Sequence, residues 1–296
     1  LQRIFYSGAN AQISAVVLGD SNRPPLITLH GLRDHALGMF ELLEPLSRDF
    51  YVIAMDLRGH GHSDKVHTYT MIQFMADLKA LYDHFGIESA ALIGHSLGGH
   101  ITMRFAATYP NLVNRLVLLD GMGPPGDPDG KDPADIQTRL QFHMDTVAGI
   151  TGQRRSIASM EEAKRRLRQN NPLMSDGLLD LIVEEGTEPH EQGGVKWRWE
   201  SAVNMVWSTF SHEESEALLS LIESPVLIVT GDRGLEYWVQ MRPEIDDQSF
   251  YESELKRRRG LFRDAQHVLI DNAGHMLHYD QPKAVYEQVI RFLANR

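Results

Sequence analysis

The sequence has no cysteine. Disulfides, thiolate metal sites and a cysteine nucleophile are therefore excluded. It also lacks positive charge, since 29 Lys and Arg stand against 40 Asp and Glu, a formal charge of −11. That balance argues against a nucleic-acid partner and against an anionic membrane surface. The basic residues that do cluster, Lys256-Arg257-Arg258-Arg259 and Lys164-Arg165-Arg166, have acidic neighbours and read as solvated helix faces. No apolar run reaches membrane length and no signal-peptide pattern opens the chain. A cytoplasmic enzyme is the expectation, with a removed leader left open because the first residue is Leu1. Internal repeats and low-complexity tracts are also missing.

What is present is globular composition: 296 residues, 42% hydrophobic and 23% charged, enough for a large core in one or two domains. Residues 4–7 and 13–18 read as an opening hairpin around Gly8-Ala9-Asn10. Short apolar strands follow at 26–29, 51–55 and up to Leu92-Ile93, with a brief helix at 40–46. Ile72, Met75, Leu78, Leu81 and Tyr82 recur at amphipathic-helix spacing over 70–85. A further strand, 116–119, ends at Asp120-Gly121. Alternating strands and helices imply a mostly parallel sheet with helices on both faces. The rhythm breaks between Gly123 and Ser224, where helical patterns run over 134–148, 160–169, 178–185 and 202–210 after a Pro/Gly/Asp-rich opening. It returns with strands at 226–230 and 267–271 and a closing helix at 283–294. Residues 1–122 and 225–296 are thus expected to form the core, with 123–224 an all-helical lid inserted after the sixth strand.

The richest stretch is Gly94-His95-Ser96-Leu97-Gly98, a Gly-x-Ser-x-Gly pattern between an apolar strand and the helical run after Gly99. A serine at so sharp a turn is held in a strained conformation, and the flanking glycines remove side chains that would clash. Its hydroxyl is exposed beside a helix N-terminus, where developing negative charge is favoured. A hydroxyl is a poor nucleophile until a base takes its proton, and the base needs an acid to fix its tautomer. His275, in Asn272-Ala273-Gly274-His275-Met276 just after the last strand, is the candidate base, because that loop returns to the sheet edge where the other strands end. His278, at the start of a helical segment, is the weaker rival.

With these marks the chain resembles an α/β-hydrolase-fold serine hydrolase. The likeness spans nearly everything outside the lid and rests on His30-Gly31, on Asp56-Leu57-Arg58-Gly59-His60-Gly61-His62-Ser63, on the elbow at Ser96 and on Gly274-His275. Gly193-Gly194-Val195-Lys196-Trp197-Arg198-Trp199 and Asp120-Gly121-Met122-Gly123-Pro124 are similar to the serine hydrolase-like branch. The resemblance implies two oxyanion donors, the backbone N–H groups of Leu97 and Leu32. Arg33 and His35, beside that loop, are candidates to meet a substrate carboxylate. The triad acid departs from the usual pattern: the run Gly231-Asp232-Arg233-Gly234 has a glycine where most relatives carry the carboxylate. Asp120, at the end of the preceding strand, is preferred to Asp232, with Glu236 third.

Asp56, His60 and His62 read as structural residues of a Gly-rich loop tied together by Arg58 and Asp64, and the resemblance offers no metal ligands there. Trp197, Trp199, Trp207 and Met205 read as lid core rather than substrate contacts, with pocket lining by some of them as the alternative, since lid helices in this fold close over the nucleophile. No metal and no organic cofactor is implied. The expected activity is cleavage of a small, apolar carboxylic ester through an acyl-enzyme. A lactonase or amidase stays open. C–C hydrolases usually carry Trp after the base where this chain has Met276, and Ser96 argues against epoxide and carbon–halogen cleavage, which use an aspartate. A non-catalytic binder that keeps the pocket is the reading from another class.

Overall fold

The computed structural model describes all residues except 124, 126–132, 149–155, 209, 242 and 295–296. The opening of the insertion, and one residue of the helix expected at 202–210, lie outside the described residues. In chain order the elements are β1 (Gln2–Ser7), β2 (Gln12–Leu18), β3 (Pro25–Leu29), α1 (Phe40–Leu46), β4 (Tyr51–Met55), α2 (Met71–Phe85), β5 (Ala90–His95), α3 (Leu97–Thr108) and β6 (Val113–Leu119). The insertion contributes α4 (Pro133–Val147), α5 (Met160–Asn170), α6 (Asp176–Gly186), β7 (Thr187–Pro189), β8 (Val195–Trp197) and α7 (His212–Leu219). The chain then returns through β9 (Val226–Gly231), α8 (Gly234–Met241), α9 (Gln248–Arg259), β10 (Ala265–Ile270), α10 (Leu277–Asp280) and α11 (Pro282–Ala294).

Eight strands form one sheet in the order β1-β2-β4-β3-β5-β6-β9-β10. β1–β2 and β2–β4 pair antiparallel, and the other neighbours run parallel. Successive strand residues point to opposite faces, and here both faces are covered. Leu92, Leu116, Leu118, Val226 and Ile228 pack on one side with Phe74, Leu78 and Ile101 from α2 and α3. Ile93, Val117, Leu119, Leu227 and Val229 pack on the other with Leu42, Leu43, Val285 and Val289 from α1 and α11. Strands buried on both faces read as continuous apolar runs, and β4 has the bounds expected of it, whereas β6 begins three residues early because the more exposed Asn114 and Arg115 interrupt its apolar run.

Local signals set the helix ends. The Thr70 side chain accepts from the Gln73 N–H while Gln73 accepts from the Thr70 N–H, a capping box at the start of α2. Two expectations need correction. The insertion is not all-helical: β7 and β8 form an antiparallel hairpin, and Ile157 bridges to Val195 beside it. Three-residue strands with Pro189 at one end carry too little alternation to register as strands. Nor is the basic run at the end of α9 wholly solvated. Arg258 is only 2% exposed and donates to the carbonyl oxygens of Met122 and Gly123, after β6. Lys164 and Arg165–Arg166, by contrast, lie at the surface in pairs with Asp180 and Glu162.

Candidate active site

The carboxyl ends of the parallel strands converge on one edge, where ligands bind in open α/β sheets. Ser96 follows β5 with φ 50° and ψ −114°, a region non-glycine residues seldom occupy. Two close approaches hold it there. A Cβ on Gly94 would lie 2.5 Å from the Gly98 carbonyl oxygen, and one on Gly98 would lie 2.1 Å from that of Leu29. Only glycine fits either position, so α3 packs tightly against β3 and β5 and the serine stands at the turn.

His275 Nε2 lies 3.0 Å from Ser96 Oγ, and His275 Nδ1 lies 2.5 Å from Asp120 Oδ2. A carboxylate only accepts, so Nδ1 carries the proton and Nε2 is left free to accept from the serine hydroxyl. Asp120 directly follows β6, is 5% exposed and has φ 42°, with its N–H on the Val229 carbonyl oxygen at 2.8 Å. That left-handed backbone turns its carboxylate toward His275. Asp232 directly follows neighbouring β9. It is exposed, and its Oδ1 accepts the Ala273 N–H at 3.0 Å. Burial works against its charge, yet backbone N–H groups of Ala273 and Asn272 keep its carboxyl below the usual range. Asp232 therefore braces the loop that carries His275. Glu236 is at the surface, paired with Arg233.

The loop after β3 passes beside the nucleophile. A Cβ on Gly31 would come within 3.2 Å of Ser96 Cβ, so the backbone at Gly31 runs close to the serine. The Gly-rich segment after β4 braces this loop: His60 Nε2 accepts the Arg33 N–H at 3.1 Å, and Asp56 Oδ1 accepts the Ala36 N–H at 2.7 Å. Asp56 also pairs with Arg3 and accepts the His62 N–H. Arg58 makes a buried pair with Asp77 of α2, and Asp64 accepts the Gln12 N–H of β2. The Asp64 carbonyl oxygen also accepts the Gly59 N–H at 2.9 Å, so the segment is closed on itself as well as tied to α2 and β2. His30 and His60 each donate from Nδ1 to a backbone carbonyl and accept an N–H at Nε2. Burial drops their pKa values to about 3 and about 4.

Arg33 is exposed, has φ 66°, and lays its guanidinium 5.2 Å from the centroid of the Trp199 ring. His35 does not face the site. It is buried, and its ring nitrogens meet the Ile182 carbonyl oxygen at 3.2 Å and the Leu37 N–H at 3.3 Å, so it ties α6 to the core. Trp207 packs on His100 and Phe210. Sequence reasoning missed Tyr237 of α8, whose ring stacks on His275 at 3.9 Å between centroids and 10° between planes. Trp238 meets the same imidazole edge-on. The one signal was an aromatic pair soon after a strand end.

The family model described as the alpha/beta hydrolase fold matches residues 24–282. The chain belongs to the α/β-hydrolase family. Among its relatives, a serine hydrolase-like protein of Danio rerio is 27% identical over 237 residues, covering 76% of this chain and 70% of that one. Esterase YbfF of Escherichia coli is 24% identical over 273 residues, covering 92% and 94%. A thioesterase domain from the curacin biosynthetic pathway superposes with a TM-score of 0.81 at 23% identity, covering 98% of each chain. The structural likeness, at that identity, shows the fold. Family membership and the esterase relative support hydrolase activity. No helix among the described residues is long and apolar enough to cross a membrane.

Proposed function

We propose that the protein is a serine hydrolase that cleaves small carboxylic esters through an acyl-enzyme, with Ser96, His275 and Asp120 as its triad. The observation that carries this reading is the unbroken line from Ser96 Oγ through both nitrogens of His275 to Asp120 Oδ2, at 3.0 and 2.5 Å. His275 Nε2 takes the hydroxyl proton as Ser96 attacks the ester carbonyl. The Leu97 and Leu32 N–H groups receive the charge that develops on oxygen. His275 then protonates the departing alcohol, and a water enters, loses its proton to the same nitrogen and releases the acid. Asp120 holds the tautomer throughout and stabilises the imidazolium.

The insertion between β6 and β9 serves as the lid. Its Trp199 lies over Arg33 at the edge of the oxyanion loop, and Arg3 joins Glu185 of α6 to Asp56. Such a cover excludes water while the acyl-enzyme forms. Hydrolysis of short p-nitrophenyl esters tests the reading. Ser96→Ala should abolish turnover while circular dichroism stays native; turnover retained in that variant would overturn the mechanism.

A further inference from the structure

Behind the Ser96–His275 pair lies a second group of polar side chains that the mechanism above does not use. Asp34 of the oxyanion loop, His95 at the end of β5 and His278 of α10 are 7%, 1% and 1% exposed. One polar atom from each lies within 4.8 Å of the other two, and the His95 and His278 rings meet edge-on with centroids 4.4 Å apart. Asp34 Oδ2, His95 Nδ1 and both nitrogens of His278 have no other protein partner among the described residues. Buried polar atoms are rarely left so, and four converging on one spot call for a joint solution. The packing fixes them there. A Cβ on Gly38 would strike the Asp34 carboxylate, and one on Gly31 would lie 2.7 Å from His95 Nδ1.

One contact sets the direction of the group. His95 Nε2 is 3.0 Å from the backbone carbonyl oxygen of His275. A carbonyl only accepts, so Nε2 carries the proton, and neutral His95 presents Nδ1 as an acceptor. The donor available to it is an N–H of His278, whose other nitrogen then needs a donor in turn. Asp34 Oδ1 already accepts the His35 N–H at 2.8 Å, and the buried Tyr279 hydroxyl also faces this carboxyl as a hydrogen-bond donor, so Oδ2, which has no close partner, is the oxygen open to His278. Charge decides what joins them. Ionised Asp34 with two neutral imidazoles leaves −1 in the interior, a divalent cation there leaves +1, and one proton leaves zero. An uncompensated buried charge costs several kcal/mol, and a positive one would also oppose the imidazolium that forms on His275.

We propose that Asp34, His278 and His95 form a net-neutral hydrogen-bonded chain, with one proton shared between Asp34 and His278, that grips the carbonyl of His275 and positions the base. The order is Asp34 Oδ2 to His278, His278 N–H to His95 Nδ1, and His95 Nε2–H to the His275 carbonyl. Each link closes directly or through one bridging water, which spans about 5 Å. Burial raises the Asp34 carboxyl pKa and brings that of His278 down to about 3, in keeping with a neutral group. His30, His35, Asp56, Tyr279 and His275 are the titratable groups that face it. The chain is a positioning device and rests on His275 being the catalytic base.

Two measurements test it. In ¹⁵N-histidine NMR of the whole protein, His95 should appear as the Nε2–H tautomer, and neither His95 nor His278 should titrate between about pH 5 and 9. In ester hydrolysis, Asp34→Asn keeps a donor toward His278 and should stay near wild type. Asp34→Leu and the ring-preserving His278→Phe should each lower kcat by roughly ten- to a hundredfold with KM little changed, as a misplaced base does. An Nδ1–H tautomer of His95, equal kcat for Asp34→Asn and Asp34→Leu, or a stoichiometric divalent metal in the purified protein would overturn it. Failure of the underlying serine-hydrolase reading looks different: wild type itself does not turn over, while the NMR result still decides the chain.

Discussion

Asp120 and Asp232 end neighbouring strands of one sheet, yet they reach different atoms of the His275 loop: the ring nitrogen in one case, a backbone N–H in the other. Asp120→Asn should lower kcat for p-nitrophenyl butyrate on the order of 10³- to 10⁴-fold, because the amide stabilises the wrong imidazole tautomer. Asp232→Asn keeps an oxygen that accepts the Ala273 N–H and should lose less than about tenfold. Equal losses in the two variants would remove the distinction. Tyr237 offers a second comparison. Its ring face covers the imidazole that becomes cationic during turnover, a contact of about 0.5–2 kcal/mol. Tyr237→Phe should therefore keep its rate and Tyr237→Leu should fall by roughly three- to thirtyfold, and a Phe variant as slow as the Leu variant would point instead to the hydroxyl. At this scale the elbow is legible in the sequence because Gly94 and Gly98 announce two close backbone approaches. The carboxylate is less so, since both aspartates follow apolar strands and only the φ of 42° at Asp120 aims one of them. His35 reads as a loop residue because its partner, the Ile182 carbonyl, is 147 residues away in the chain.

The loop after β3 is an element held in place by another element. His60 and Asp56 accept N–H groups of Arg33 and Ala36, on either side of the turn. Replacing His60 with Phe keeps the ring and removes the acceptor, so the turn should relax and carry the Leu32 N–H off its position. The expected result is a kcat lower by about tenfold or more with KM nearly unchanged, measured in the same ester assay. A rise in KM alone would mean that the loop binds substrate rather than the oxyanion. Long amphipathic elements such as α2 are legible because capping and periodicity agree. The β7–β8 hairpin and α8 are not, because elements of three and eight residues carry little pattern and are held by tertiary contacts.

For the molecule as a whole, the sheet order places the ends of β3, β5, β6 and β10 at one edge, so sequence-distant residues meet where the parallel strands stop. The same burial that builds this edge makes stability depend on acid. His30 and His60 are held neutral in the fold with pKa values of about 3 and about 4, below the free value of 6.5. As pH falls below 6.5 the unfolded chain takes up these protons and the folded one does not, so stability is full above that pH and declines toward the folded values. Each group contributes at most about 1.4 kcal/mol per pH unit across that window. Urea midpoints should therefore drop between pH 7.5 and 5, more steeply in wild type than in His60→Phe, and identical slopes would contradict the assignment. The claim that organises the rest is that Ser96 is an activated nucleophile. Intact-mass analysis after brief exposure to a fluorophosphonate tests it most directly. One adduct per chain, mapped to Ser96 and lost in both Ser96→Ala and His275→Ala, is the predicted result; an unmodified wild-type protein would contradict it.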